Sequence, residues 1–236
     1  MFIPLHDDNP LENMTRPWVN YGLIAVTILT FFITGGANTE EVRKAAFMFG
    51  LVPSVVNDIR ELPAEYVLIP ETATYVTYAF LHANFLHLAG NMLFLWVFGD
   101  NIEDAVGHLR YLAFYLIAAA AGGLAHSLFN ADSTMPLIGA SGAVAGIVGA
   151  YLLLHPRVKL WVLLLGKIPF RLSAVYILLA WAAFQVVNLF FIAPGEQNVA
   201  WLAHIGGFTA GCLLIVVLRR PGVVLLDRNM APGRQA

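Results

Sequence analysis

Long runs of apolar residues constrain the fold of this chain more than any other feature of its sequence. Of its 236 residues, 59% are hydrophobic and 12% are charged, whereas a soluble domain carries about a quarter charged residues. A membrane-crossing helix needs roughly 20 mostly apolar residues. We therefore predict an all-α polytopic membrane protein. Its six predicted spans are 18–35, 83–101, 109–128, 139–154, 172–191 and 199–218.

These spans divide the chain into three parts. Residues 1–17 form a predicted N-terminal segment, 18–218 a membrane-embedded domain, and 219–236 a C-terminal tail. Between the first two spans, a long connection over 36–78 mixes apolar stretches with charges and prolines. We interpret it as a long, amphipathic outer loop that is partly embedded in lipid.

The basic residues predict the orientation of the spans. With the N-terminus in the cytoplasm, ten of the 13 Lys and Arg residues fall on the inner side. The outer side holds only Arg43, Lys44 and Arg60. The positive-inside rule then places both termini in the cytoplasm. We expect a multi-pass protein of the cell (inner) membrane.

Several classes of site are disfavoured by composition. The net charge is −2 and there is no basic tract, so we expect no nucleic acid as a partner. Cys212 is the only cysteine, which excludes an intramolecular disulfide and a cysteine-rich zinc site. No HExxH pattern occurs, and the spans offer no carboxylate near their outer ends, so we expect neither a metal nor a cofactor.

Polar residues interrupt the apolar pattern in three clusters, at 81–91, 138–146 and 203–211. In the predicted orientation all three lie near the outer ends of their spans. At ~1.5 Å per residue, Ser141 lies a few ångströms deep and His204 ~7.5 Å. His87 and Asn91 lie ~6 and ~12 Å deep by the same rise. Because intramembrane polar residues are costly, four of them in one depth band indicate a site.

The residue types fit acyl transfer. Ser141 is the candidate nucleophile and His204 the base that takes its proton. The developing oxyanion needs donors. Candidates are the side chains of Asn91 and His87, one helical turn apart, and the N–H of Ser141 at a helix start. Gly139 and Gly142 flank the serine and leave room for a substrate.

Structural interpretations remain open beside the catalytic one. An isolated serine in a span usually bonds its own backbone, and an isolated histidine is often a structural hydrogen-bonder. His82 is more readily a residue that orients its neighbours than a catalytic group. Glycines at 142, 146, 149, 207 and 211 let helices approach closely, and packing alone explains them equally well.

Three motifs resemble those of the rhomboid family. The GxSG motif corresponds to Gly139-Ala140-Ser141-Gly142, and AHxxG begins at Ala203-His204. The HxxxxHxxxN pattern is formed by His82, His87 and Asn91. Their order, intervals and placement on helices all agree with that family, over about residues 2–220.

The resemblance implies a six-helix intramembrane serine endopeptidase. Ser141 and His204 would form a catalytic dyad without an acidic member. Asn91, His87 and the Ser141 N–H would form the oxyanion hole, supported by His82. The implied substrates are transmembrane proteins, hydrolysed near the outer membrane face, where the site opens. Oligomeric state is left open.

One position departs from many members of that family. They carry an aromatic residue four positions after the serine, and Ala145 stands there. Phe208, one turn after His204, is a candidate to supply the aromatic contact with the histidine that Ala145 cannot make.

Two alternative functions remain open: an inactive member that binds membrane-protein clients without cutting them, and a small-solute transporter.

Overall fold

Helices form most of the described chain, which in this computed structural model comprises residues 2–36, 38–164, 166–191 and 201–226. The helical segments, in chain order, are α1 (Trp18–Ile33), α2 (Thr39–Phe49), α3 (Pro53–Val56), α4 (Glu71–Phe80), α5 (Phe85–Val106), α6 (His108–Phe129), α7 (Ser141–Leu154), α8 (Ala174–Phe191) and α9 (Trp201–Leu218). The strands are β1 (Phe2–Asp7), β2 (Lys159–Leu164) and β3 (Ile168–Ser173).

A helix occupies each of the six predicted spans, but the helices differ in length. Among the described residues, α6, α8 and α9 are long and apolar enough to cross a membrane. A fourth span results if α4 and α5, which meet at 85°, count as one broken span. The apolar helices α1 and α7 are shorter, with 16 and 14 residues. Positions 199 and 200 of the sixth predicted span lie outside the described residues.

Helix α7 lies at the centre of the bundle. All of its residues over 142–152 are buried, and a helix that is apolar and buried all round is a core element. Its glycines permit this. A Cβ on Gly207 of α9 would overlap the carbonyl oxygen of Gly142, and a Cβ on Gly211 would overlap that of Gly146. The predicted close approach of these two glycine-bearing helices is therefore confirmed.

A buried carboxylate ties α1 to α5. Glu103, which is fully buried, accepts hydrogen bonds from the backbone N–H groups of Val19 (3.0 Å) and Asn20 (2.7 Å). These groups lie in the first turn of α1, where helix N–H groups lack intrahelical partners. The same carboxylate contacts His108 Nδ1 at the start of α6. Glu103 thus holds three helices at one end of the bundle.

The chain is mostly helical, as predicted, but it is not all-α, because a three-stranded antiparallel sheet, ordered β1-β2-β3, is present. It follows the C-terminal end of α7, so it lies at the opposite end of that helix from Ser141. Leu160 and Val162 of β2 are buried, and the Asp7 carboxylate of β1 accepts a 2.6 Å hydrogen bond from Tyr151 of α7. The sheet therefore docks on the helices through its first and second strands.

The N-terminal segment continues to follow the bundle after β1. The backbone N–H groups of Glu12 and Asn13 donate to the Asp104 carboxylate at 3.1 and 2.7 Å. Asn9 contacts Asn101 of α5. Residues 2–13, predicted only as a cytoplasmic segment, are thus attached to the end of the bundle that carries the sheet.

The long connection between α1 and α5 contains α2, α3 and α4. Leu51 exchanges backbone hydrogen bonds with Leu137 (2.8 and 3.1 Å), and the Ser54 N–H donates to the Ser133 carbonyl at 2.9 Å. Both partners belong to the segment between α6 and α7. The connection therefore supports the chain that leads directly into Ser141.

Candidate active site

A cavity of about 540 Å³ brings the predicted site residues together. Ser141, His204, Asn91 and His87 all line it, although they belong to α7, α9 and α5. The remaining lining residues are Ala83, Asn84, Leu86, Gly90, Phe94, His126, Ser133, Met135, Pro136, Leu137, Ile138, Val144 and Trp181. The lining residues include no Asp, Glu, Lys or Arg, so histidines are the only ones among them that can carry a charge.

Ser141 is the first residue of α7. Gly139, two residues earlier, has φ +123°, a conformation that favours glycine. A Cβ at Gly139 would lie 2.6 Å from the His87 ring, and the Gly139 N–H donates to the Tyr78 carbonyl at 2.9 Å. The turn therefore requires glycine for both its backbone shape and its contact with His87. At the start of a helix, the Ser141 N–H lacks an intrahelical acceptor and is a candidate donor to a substrate.

His82 supports this turn from a buried position outside the cavity lining. Its side chain is buried, and its Nε2 accepts from the Ala140 N–H at 3.4 Å. Its ring lies 5.0 Å from that of His87, centroid to centroid. His82 does not line the cavity, so its geometry fits the orienting role predicted for it.

His87 and Asn91 lie one turn apart on α5, as predicted. The Ala83 N–H donates to His87 Nδ1 at 3.4 Å, so the proton of a neutral His87 lies on Nε2, the nitrogen next to Gly139. Asn91 donates from Nδ2 to the His87 carbonyl at 3.0 Å. An amide nitrogen carries two protons, and the second remains for a group in the cavity.

Close backbone packing sets the distance between the serine and the histidine. A Cβ on Gly142, next to Ser141, would lie 3.5 Å from the carbonyl oxygen of Ala203, next to His204. A Cβ on Gly122 of α6 would lie 2.8 Å from the same oxygen. Three helices therefore converge on small residues directly beside the candidate dyad.

The sequence analysis named only Phe208 as a neighbour of His204, and it missed three residues that the structure places beside that ring. Its Nδ1 lies 2.8 Å from Oε1 of Gln185 on α8. The rings of Trp181 and Trp201 lie 6.0 and 6.2 Å from the His204 ring, while Phe208 packs against Trp181 at 6.4 Å. Gln185 is one of two amide side chains in the predicted fifth span, and an intramembrane amide is itself a signal of function.

His126, at the end of α6, was also missed. It lines the cavity, and its Nδ1 is buried without a hydrogen-bond partner among the described residues. The sequence offered only a histidine near the end of an apolar span. Among the described residues, no group of three or more His, Cys, Asp or Glu side chains is placed to hold a metal ion.

Residues 70–221 match the family model of the rhomboid domain, and the chain belongs to the rhomboid family. It is similar to RHOMBOID-like protein 1 of Arabidopsis thaliana, with 35% identity over 61% of this chain and 34% of that protein. RHOMBOID-like protein 5 of the same plant is 29% identical over 82% of this chain and 59% of its own length. Rhomboid protease GluP of Bacillus subtilis (strain 168) is 30% identical over 87% of this chain and 36% of its own length. The chain thus spans between about a third and three fifths of these relatives.

Proposed function

We propose that this protein is an intramembrane serine endopeptidase in which Ser141 is the nucleophile and His204 the base. The observation that carries the proposal is the single cavity lined by Ser141, His204, Asn91 and His87. Membership of a family that includes a named protease supports it at the level of reaction class.

The proposed reaction proceeds in two acyl-transfer steps. His204 takes the hydroxyl proton as Ser141 Oγ attacks the scissile carbonyl, and it then gives that proton to the leaving amine. Water then attacks the acyl-serine while His204 takes its proton, and His204 gives that proton to Ser141 Oγ as the acyl–oxygen bond breaks and the new carboxyl end is released. In both steps the oxyanion receives hydrogen bonds from the Ser141 N–H, Asn91 Nδ2 and His87 Nε2. His82 and Gly139 hold the turn that presents Ser141.

The proposed substrates are transmembrane segments of other proteins, cut near the outer membrane face. Peptide bonds within a helix are shielded by its hydrogen bonds, so local unwinding of the substrate must precede cleavage. The positive-inside distribution supports cytoplasmic termini and a site that opens outward. Ser141 at one end of α7 and the sheet at the other are consistent with that arrangement.

Two other functions make different predictions. A client binder that does not cut requires no activated serine, and a solute transporter requires a polar path through the bundle. The buried part of α7 below Ser141 is apolar apart from Tyr151, which disfavours a polar path beside it. Reaction with a serine-directed probe distinguishes the proposed enzyme from both.

The test is labelling of the membrane-embedded protein by a fluorophosphonate. Wild type should label, and Ser141→Ala and His204→Ala should not. Ser133→Ala is the matched control, since Ser133 lines the same cavity, and it should label like wild type. A folded wild-type protein that does not label would contradict the proposal and favour the client binder.

A further inference from the structure

Gln185 occupies an unusual position on α8. Among the described residues that follow Leu178 on this helix, Gln185 is the only one that is buried. It retains only 4% of its accessible surface. An apolar side chain would suffice if this position served packing alone. A buried amide needs hydrogen-bond partners to offset the loss of its solvation, and Gln185 has two.

The orientation of the Gln185 amide follows from its first partner. Nε2 donates to the Trp181 carbonyl one turn earlier on the same helix at 3.2 Å. Oε1 is therefore directed at His204 Nδ1, 2.8 Å away on α9. A carbonyl oxygen has no proton to donate. Nδ1 must be the donor, and the proton of a neutral His204 lies on Nδ1.

This tautomer has a direct consequence for the chemistry. With the proton on Nδ1, the other ring nitrogen, Nε2, carries a free lone pair and can accept the Ser141 proton. In the opposite tautomer, Nε2 would carry a hydrogen and could not act as a base. The rings of Trp181 and Trp201 also pack against the imidazole, at interplanar angles of 35° and 89°.

We propose that Gln185 is a positioning residue for His204, which selects the tautomer and orientation of the base through its side-chain carbonyl. The inference rests on the proposed function of the Ser141–His204 pair. A neutral amide takes here the place that a carboxylate takes in a soluble serine hydrolase, and it avoids the cost of an ionised group in the membrane. Ala145 of α7 provides no ring to pack against the histidine. Support for His204 therefore comes from α8.

Two substitutions and one control test this role in the membrane-embedded protein. Gln185→Met keeps the shape of the side chain and removes the acceptor. It should lower kcat by at least about 10-fold. The loss should be smaller than the ~10⁴-fold loss that follows replacement of the aspartate in a Ser-His-Asp triad. KM and the unfolding temperature should stay near their wild-type values. Gln185→Glu restores an acceptor oxygen and should recover most of this loss.

Asn188→Leu is the matched control. Asn188 is the other amide of α8, and within the part of the chain that the structure describes it donates to the Phe184 carbonyl one turn earlier at 2.7 Å. Its replacement removes the same kind of backbone contact without touching His204. Equal losses of kcat in Gln185→Met and Asn188→Leu would overturn the inference, because they would indicate an effect of helix stability alone.

The tautomer itself is read by nitrogen NMR of histidine-labelled protein, with His204→Ala identifying the signal. Wild type should show a protonated Nδ1 at His204, and Gln185→Met should lose this preference. A protonated Nε2 in neutral wild-type His204 would overturn the inference. Failure of wild type to react with the fluorophosphonate would instead overturn the proposed function, so the two failures are distinct.

Discussion

Gly142 of α7 and Gly207 of α9 touch through their backbones, and a Cβ on Gly207 would overlap the Gly142 carbonyl oxygen. This contact lies one residue from Ser141 and three from His204. Because both partners are backbone atoms, neither can move aside without displacing its helix. The same contact that stabilises the bundle therefore sets the separation of the candidate dyad.

Gly207→Ala should consequently destabilise the protein and impair catalysis together. Overpacking of a core costs about 1–3 kcal/mol, and the displacement of α9 should slow fluorophosphonate labelling. Gly22→Ala is the control, since a Cβ there meets nothing within 4 Å, and it should unfold at or above the wild-type temperature. Equal unfolding temperatures for the two variants would contradict the packing argument.

Asn91→Ala should lower kcat/KM by roughly 10²–10³-fold, the scale of a lost oxyanion donor. The protein should still fold, because the lost bond to the His87 carbonyl is local to α5. Asn130→Ala removes a similar bond, from Nδ2 to the His126 carbonyl four residues earlier (2.9 Å), and Asn130 does not line the cavity. A turnover that is the same in both variants would remove Asn91 from the oxyanion hole.

Glu103→Gln should lower the free energy of unfolding by about 1–3 kcal/mol, the scale of a buried polar group left unsatisfied. The carboxylate accepts from two N–H groups of α1, and an amide can accept through only one atom. Denaturant unfolding in micelles measures the effect. The exposed Glu65 provides the control, and Glu65→Gln should remain within about 0.5 kcal/mol of wild type.

Asp7 predicts a pH dependence of stability. Burial raises the pKa of its carboxyl from 3.8 to about 6, although the hydrogen bond from Tyr151 favours the charged form. Between these values the folded protein binds more protons than the unfolded chain, so stability decreases as the pH rises from about 4 to 6. Below about pH 4, the Asp7 carboxyl is protonated in both the folded and the unfolded state, so its burial no longer lowers the stability.

Asp7→Asn should remove this dependence. Relative to wild type, the variant should gain up to about 3 kcal/mol between pH 4 and pH 7, at ~1.4 kcal/mol per pKa unit. Unfolding midpoints at the two pH values measure the difference. Asp8→Asn changes the same charge but removes a surface ion pair with Arg171, and it should show no such gain. A pH-independent difference for Asp7→Asn would refute the linkage.

The helices and the candidate site residues were accessible from sequence because their signals are local. Apolar runs long enough for a helix, glycines at helical spacing, and a serine beside two glycines can each be read within a short window. The common depth of Ser141 and His204 needed only the rise of a helix and the ends of two spans.

The sheet was missed because its signals are not local. The apolar residues of β2 and β3 run into those of α8, so Leu172 of β3 was assigned to a span. The partner of β2, β1, is at the other end of the chain. Gln185 was missed for a similar reason. Its amide is visible in the sequence, but its contact with His204 depends on how α8 and α9 pack.

The pairing of β1 with β2 sets an order on the biosynthesis of the protein. Phe2 lies opposite Leu164, and helices α1 to α7 lie between the two strands in the chain, so β1 has no partner until those helices have been synthesised. At ~5–20 residues per second, it waits for roughly ten to thirty seconds. Closure of the sheet therefore follows the synthesis of α1 to α7, and it joins residues 2–7 to a part of the chain that is made about 160 residues later.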